Sequence, residues 1–373
     1  MPHRRLTTML LIVFMAVLLL GIAGCAEEPP PPTPTPEPTV TSIPTHTATP
    51  TITPTPTATP TPTPDPYVSP LTGQRVDDLS LLQRRVLAVR VGNDPNIRPQ
   101  DGLGLADIVY EEIMDGWTVT RFTALYLDSE AERIRPIRSA RLSGLYIAPQ
   151  YNAALAHTGA SDRIRWLISQ ATDFQDLDEF FHPRPYAILY GYDWRGRIYT
   201  SVKSLRDYLE SRELDPHEMI EGYSFDVTPP RGEPAQSIHI PYPSSSIVDW
   251  VYSAEEGRYL RNVQGRPHTE GLTGEQIVAD NVIILYAEHR ATDIVEDVLG
   301  ATAIDIVLAD SGRAQVCRDG VVVEAVWSQE EPGKLVHYYD ADGEIIPLRP
   351  GRTWIQLVPP DYEVAINGIT NDE

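Results

Sequence analysis

Residues 28–66 constrain this chain more than any other stretch, because they are almost wholly Pro and Thr, with Thr-Pro recurring from Thr33 to Pro64. Proline fixes φ near the polyproline II value and disfavours helix at the residue before it. A segment built this way cannot form a packed core and reads as an extended stalk. At about 3.1 Å per residue, ~39 residues reach on the order of 120 Å. Folding is thereby confined to the chain beyond the stalk, from near Tyr67.

Ahead of the stalk, His3, Arg4 and Arg5 make a basic start and residues 6–22 an apolar run, and small residues at Ala23 and Gly24 precede Cys25. Roughly 17 apolar residues lie at the lower limit for spanning a bilayer, whereas short apolar runs ending in small residues typify export signals. The pattern predicts a lipoprotein signal peptide over residues 1–24, with Cys25 as the acylated residue of an extracytoplasmic protein. Two or three acyl chains hold a protein on a membrane firmly, since each buried methylene contributes about 0.8 kcal/mol.

The chain carries 52 acidic against 30 basic side chains, a formal charge of −22, and loss of Arg4 and Arg5 with the signal takes it to −24. Nucleic acid is an unfavourable partner for such a surface, because phosphate binding depends on Lys and Arg releasing counterions. Of the two cysteines, Cys25 is committed to lipid, so Cys317 has no intrachain partner and no disulfide framework exists. Stability has to come from buried apolar area, for which about 305 residues beyond the stalk suffice.

Leu87–Val91 reads as a strand, and Asp107–Met114 and Thr118–Leu127 as a hairpin around Asp115-Gly116. Apolar residues at 137, 140, 145 and 148 behind Pro136 predict a helix over 137–148. Ala153–Ala156 reads as a buried strand and Arg163–Gln170 as the helix after it. Beyond Gly222 the pattern changes to short strand-like runs between turns, among them Asn281–Tyr286, Arg313–Cys317 and Val321–Trp327. The expected class is α+β: a mixed unit over 67–221, then a strand-rich unit over 222–373, after the Pro/Thr-rich linker 25–66.

No P-loop, dinucleotide fingerprint, HExxH or paired-cysteine pattern occurs, so no cofactor and no metal is expected. Arg133, Arg135, Arg138 and Arg141 form the one dense basic cluster of an acidic chain. A helix from Pro136 would stack Arg138 and Arg141 on its N-terminus, a place suited to phosphate or carboxylate. Cations there oppose the helix dipole, so a compensating anion is required: a ligand, or neighbours such as Glu111, Glu112, Asp128 and Glu132. A second constellation, His157-Thr-Gly-Ala-Ser161-Asp162, comes directly after a buried strand, where ligands of α/β sheets gather. Ser161 and Asp162 are equally what caps the next helix.

Several runs resemble the YerB-like family of bacterial lipoproteins, whose two halves are domains of unknown function. They include Arg98-Pro-Gln-Asp-Gly-Leu103, Ala106-Asp-Ile-Val-Tyr-Glu111, Thr120-Arg-Phe122, Arg135-Pro-Ile-Arg-Ser-Ala-Arg141, His157-Thr-Gly-Ala-Ser161 and Pro350-Gly-Arg-Thr-Trp354. The resemblance covers about residues 67–360 and implies a lipid-anchored envelope protein of two packed α and β units, with no assigned reaction. One segment departs from the family's pattern: Pro185–Arg197 stands where a charged, asparagine-containing stretch is usual.

These readings converge on an anionic envelope ligand, a phosphate- or carboxylate-bearing glycan, bound by Arg135, Arg138 and Arg141 with His157 and Ser161. Binding without turnover is favoured over a hydrolase or transferase using His157 as base, and over a passive scaffold. Oligomeric state is not encoded in any of these features.

Overall fold

The computed structural model describes residues 65–243 and 245–367, so the signal segment, Cys25 and the stalk up to residue 64 lie outside the described residues. In chain order the elements are β1 (Leu87–Gly92), β2 (Ile108–Ile113), β3 (Thr120–Tyr126), α1 (Gly144–Gln150), β4 (Ala154–His157), α2 (Asp162–Gln170), β5 (Gln175–Asp178), β6 (Ala187–Ile188), β7 (Ile198–Tyr199) and α3 (Val202–Ser211). Next come β8 (Glu233–Pro234), β9 (Ser237–Ile240), β10 (Val248–Ser253), β11 (Arg258–Val263), β12 (Arg266–Pro267), β13 (Val278–Ala279), β14 (Asn281–Tyr286), β15 (Glu288–Val295), β16 (Thr302–Val307), β17 (Ser311–Arg318), β18 (Val321–Ser328), β19 (His337–Tyr339), β20 (Thr353–Val358) and β21 (Ala365–Ile366). Few helices and many strands in mixed sheets make this an α+β fold.

An eleven-stranded sheet runs β19-β18-β17-β14-β20-β2-β3-β1-β4-β5, with β8 beside β18. Its middle joins early sequence to late: β20 lies parallel to β14 on one side and to β2 on the other, Ile108 opposite Thr353. Strands β1, β2, β3, β14 and β20 are buried along their whole length, which suits the apolar runs of β1 and β14, while β2 and β3 also bury Glu111, Glu112 and Arg121. At the periphery β18 alternates buried and solvent-facing residues instead.

A six-stranded sheet, β12-β11-β10-β9-β21 with β13 beside β11, packs on this one. Trp250 meets Trp354 edge-on at 5.3 Å and Phe122 meets Trp354 at 5.5 Å. Arg261 is wholly buried among these rings, its Cζ 4.8 Å from the Trp354 centroid, and pairs with Glu111 at 2.7 Å. Its Nη1 also donates to His268 Nδ1 at 2.9 Å, so His268 Nε2 donates to Gln100 at 2.7 Å. Cys317 lies buried in β17, and burial pushes its thiol up, away from the reactive thiolate.

The helix expected over 137–148 is a correction. Residues 133–141 form a non-helical strap with strand-like bridges at Ile134, Arg135 and Ile137, and α1 is only Gly144–Gln150. The reason lies in the backbone donors. Ile137 N–H donates to Ile198, Arg138 N–H to Arg90 and Ala140 N–H to Gly159, so long-range partners take what a helix would have used. Arg138 and Arg141 therefore sit on no helix N-terminus.

Candidate functional site

Along the strap the arginines part company. Arg135 is buried, with Nε on Asp101 at 2.9 Å and its Nη groups donating to Pro99 and Gly196 carbonyls at 3.1 and 3.2 Å. Arg133 shares Asp101. Every arm of Arg135 is thus committed to holding the strap against the chain around Asp101.

Arg141 points elsewhere. It clasps Asp115 at 2.6 and 3.3 Å, and its Nη1 lies 3.3 Å from Glu296. Among the described residues Arg138 has no carboxylate within ion-pair distance, and its buried Nε has no hydrogen-bond acceptor. Burial holds its guanidinium below the ordinary arginine range; Arg141 and Arg195 add to this, Asp94 and Asp115 oppose it.

Two further cations complete the cluster. Arg90 of β1 is buried against Glu112 and the Thr123 hydroxyl. Arg121 of β3, 5% exposed, donates from Nη1 to the Ser139 carbonyl at 3.2 Å, and its Nε has no acceptor. Arg121 is held well below the ordinary range by burial first, then by the charges of Arg141, Arg138 and Arg90. Four guanidinium groups therefore face three carboxylates within ion-pair distance: Glu112, Asp115 and Glu296. The Nε groups of Arg121 and Arg138 are unfilled, and so are the Oε2 atoms of Glu112 and Glu296, yet the cations outnumber the carboxylates by one, and such a balance suits an anion.

Glu296 is the counterion that sequence reasoning missed. It lies in the connection between β15 and β16, a hairpin forming its own two-stranded sheet, and its side chain is wholly buried while Val298 and Leu299 beside it are bare to solvent. Burial raises its carboxyl above the usual range; Arg141 and the Ser161 hydroxyl oppose that shift and Asp115 adds to it.

Ser161 occupies the N-cap position of α2, but its hydroxyl makes no capping bond and donates to Glu296 at 2.9 Å. Arg141 and Ser161 thus converge on one carboxylate. His157 is buried behind them, Nδ1 2.9 Å from the Gly159 carbonyl and Nε2 2.8 Å from Asp176. Each ring nitrogen faces an acceptor, and neither is turned to Ser161 or to an arginine. The ring's contribution is to the turn. Gly159 carbonyl also accepts from Ala140, and Gly159 N–H donates to Asp178 at 3.0 Å, which fixes the strap beside β4. Gly159 sits at φ +74°, where a side chain would also meet Arg165.

Arg138, Arg141 and Ser161 are accordingly brought to one place with Arg121, while Arg135 and His157 support it from outside. Arg121 stands in the run Thr120-Arg-Phe122, which marks the family resemblance but, lying outside the dense cluster at 133–141, carried no reading as a site residue. Among the described residues no group of three or more His, Cys, Asp or Glu is arranged for a metal ion. No helix among them is long and apolar enough to cross a membrane.

Comparison with known proteins places the chain. A family model described as the N-terminal domain of a protein of unknown function (DUF3048) matches residues 71–215, and the corresponding C-terminal domain matches residues 238–355. "Putative lipoprotein YerB" of Bacillus subtilis (strain 168) is 28% identical over 310 residues, covering 80% of this chain and 87% of that protein. The crystal structure of YerB from Bacillus subtilis superposes with a TM-score of 0.68 at 27% identity, covering 80% of this chain and 99% of the other. Two family models in the expected order, and a solved relative aligned over nearly its whole length, show that this chain belongs to the DUF3048 family of YerB-like proteins.

Proposed function

We propose that this chain is a lipid-anchored extracytoplasmic protein, tethered through Cys25, whose folded part binds an anionic envelope ligand at Arg121, Arg138 and Arg141. A phosphate- or carboxylate-bearing glycan is the ligand class. One observation carries the reading: among the described residues Arg121 and Arg138 have no carboxylate partner, and each leaves a buried Nε unfilled. A passive scaffold would gain nothing from such donors, since a buried charge without a partner is costly. Ser161 belongs to the site through Glu296, and Arg135 and His157 belong to it as supports.

Turnover has weaker support. A base needs a nitrogen turned toward its nucleophile, and the bonds of His157 and Ser161 run to other partners. The test is a double Arg138→Ala, Arg141→Ala variant titrated with purified wall polymer at several salt concentrations. Loss of two charge-assisted contacts predicts roughly 100-fold weaker binding with a flatter salt dependence. Unchanged affinity and salt slope in a folded variant would refute the site.

A further inference from the structure

Three large rings stand in solvent on one small hairpin beside this cluster. β6 and β7 pair Ala187 with Tyr199 and Ile188 with Ile198, Leu189 N–H donates to the Arg197 carbonyl at 2.7 Å, and Gly196 N–H donates to the Asp193 carbonyl at 2.8 Å. The connection is therefore held in a fixed shape. On it Tyr190, Tyr192 and Trp194 are 89%, 51% and 64% exposed. Arg135 Cζ lies 4.4 Å from the Tyr192 centroid, and Arg138 and Arg195 lie 5.5 and 5.8 Å from that of Trp194. Cations against an aromatic face orient a ring that solvent would otherwise leave free to turn. Arg138 thus belongs at once to the anion cluster and to this aromatic tip.

We propose that the Tyr190, Tyr192 and Trp194 hairpin is a carbohydrate-stacking platform, taking the sugar rings of a glycan whose anionic substituents reach Arg138. The charged half of this inference rests on the proposed function; the stacking half has its own readout. A pyranose presents a face of polarised C–H groups and an edge of hydroxyls. The C–H face lies on the negative face of an aromatic ring, and the hydroxyls meet flanking polar groups, here Asp193 and Arg195. Protein docking hot spots sit instead in recessed apolar pockets. Gly191, Asp193, Arg195 and Gly196 supply no aliphatic wall for one. Tryptophan and tyrosine also suit a bilayer interface, but immersion would carry Asp193 and its Arg195 partner along.

The experiment uses the full-length chain in a Cys25→Ser background and two soluble anionic probes: a hyaluronate octasaccharide, which has rings, and poly(glycerol phosphate), which has none. Tyr190→Ser with Tyr192→Ser, which leaves the ring against Arg138 in place, is expected to weaken octasaccharide binding about 10-fold while leaving poly(glycerol phosphate) binding unchanged. Arg138→Ala weakens both and flattens the salt dependence. Tyr190 is so exposed that Tyr190→Ser alone cannot unfold the chain, so a smaller loss in that single variant guards against misfolding of the pair. Wild-type affinity for the octasaccharide in the ring variants, or no octasaccharide binding by the parent chain, overturns the platform; if Arg138→Ala still loses affinity, the anion site stands alone. If neither set of variants changes anything, both readings fall. Ring-dependent binding to phosphatidylglycerol vesicles without octasaccharide binding overturns it in favour of a membrane contact.

Discussion

The Ser161 hydroxyl donates to the Glu296 carboxylate at 2.9 Å, across 135 residues of sequence, in place of the capping bond its position at the start of α2 would suggest. The same carboxylate faces Arg141, so the hairpin between β15 and β16 fills the arginine cluster with a side chain of this protein itself. An anion bound as proposed would compete with it. Glu296→Gln removes the internal charge while keeping the shape, and is expected to tighten phosphate-polymer binding about 10-fold, measured by titration calorimetry. Weaker binding in that variant would mean Glu296 helps to hold the ligand.

The two serines that precede helices give a stability contrast. Ser201 accepts from Ser204 N–H at 3.0 Å and caps α3, so Ser201→Ala should cost about 1 kcal/mol in urea unfolding. Ser161→Ala forfeits no capping bond. Its effect should appear in ligand binding and in protease sensitivity near Val298, and much less in the unfolding midpoint.

Arg261 sits between the two sheets with Glu111 as its ionic partner. Arg261→Ala leaves that carboxylate buried and unpaired and opens space among Trp250, Trp354 and Phe122. A loss of about 3–5 kcal/mol is expected by chemical denaturation. A change under about 1 kcal/mol would show that the aromatic packing, rather than the ion pair, ties the sheets.

Asp107 gives a pH signature. Burial pushes its carboxyl up to about 7 and neighbouring Asp128 adds to this, while Leu127 N–H and Ser129 oppose it. Below about pH 4 the group is protonated in folded and unfolded chains alike. Between there and pH 7 the folded state binds the extra proton, so its contribution to stability falls as pH rises, then levels off. Asp107→Asn should flatten this part of the stability profile, measured by thermal unfolding from about pH 4 to 8.

Much of the scaffold was legible because its central strands are buried on both faces. Leu87-Ala-Val-Arg-Val91 and Asn281–Tyr286 announce themselves as apolar runs. The strap was misread because 137, 140, 145 and 148 mimic a helical stripe, and nothing local reveals that Ile198, Arg90 and Gly159 claim its donors. The site was half legible. Arg138, Arg141 and Ser161 stood out by density and position, whereas Glu296 hides in Glu296-Asp-Val-Leu-Gly300, a stretch that reads as an ordinary turn until tertiary contact gives it Arg141.

β20 enters the sheet between β14 and β2, although among the described residues only the two-residue β21 follows it. During synthesis the keystone of this arch therefore arrives after almost every other stone is cut. A product cut short before Thr353 would expose two long bare borders in the middle of the molecule, where a foreign strand can add. Interrupted translation of this chain should thus yield aggregates rather than a smaller working domain.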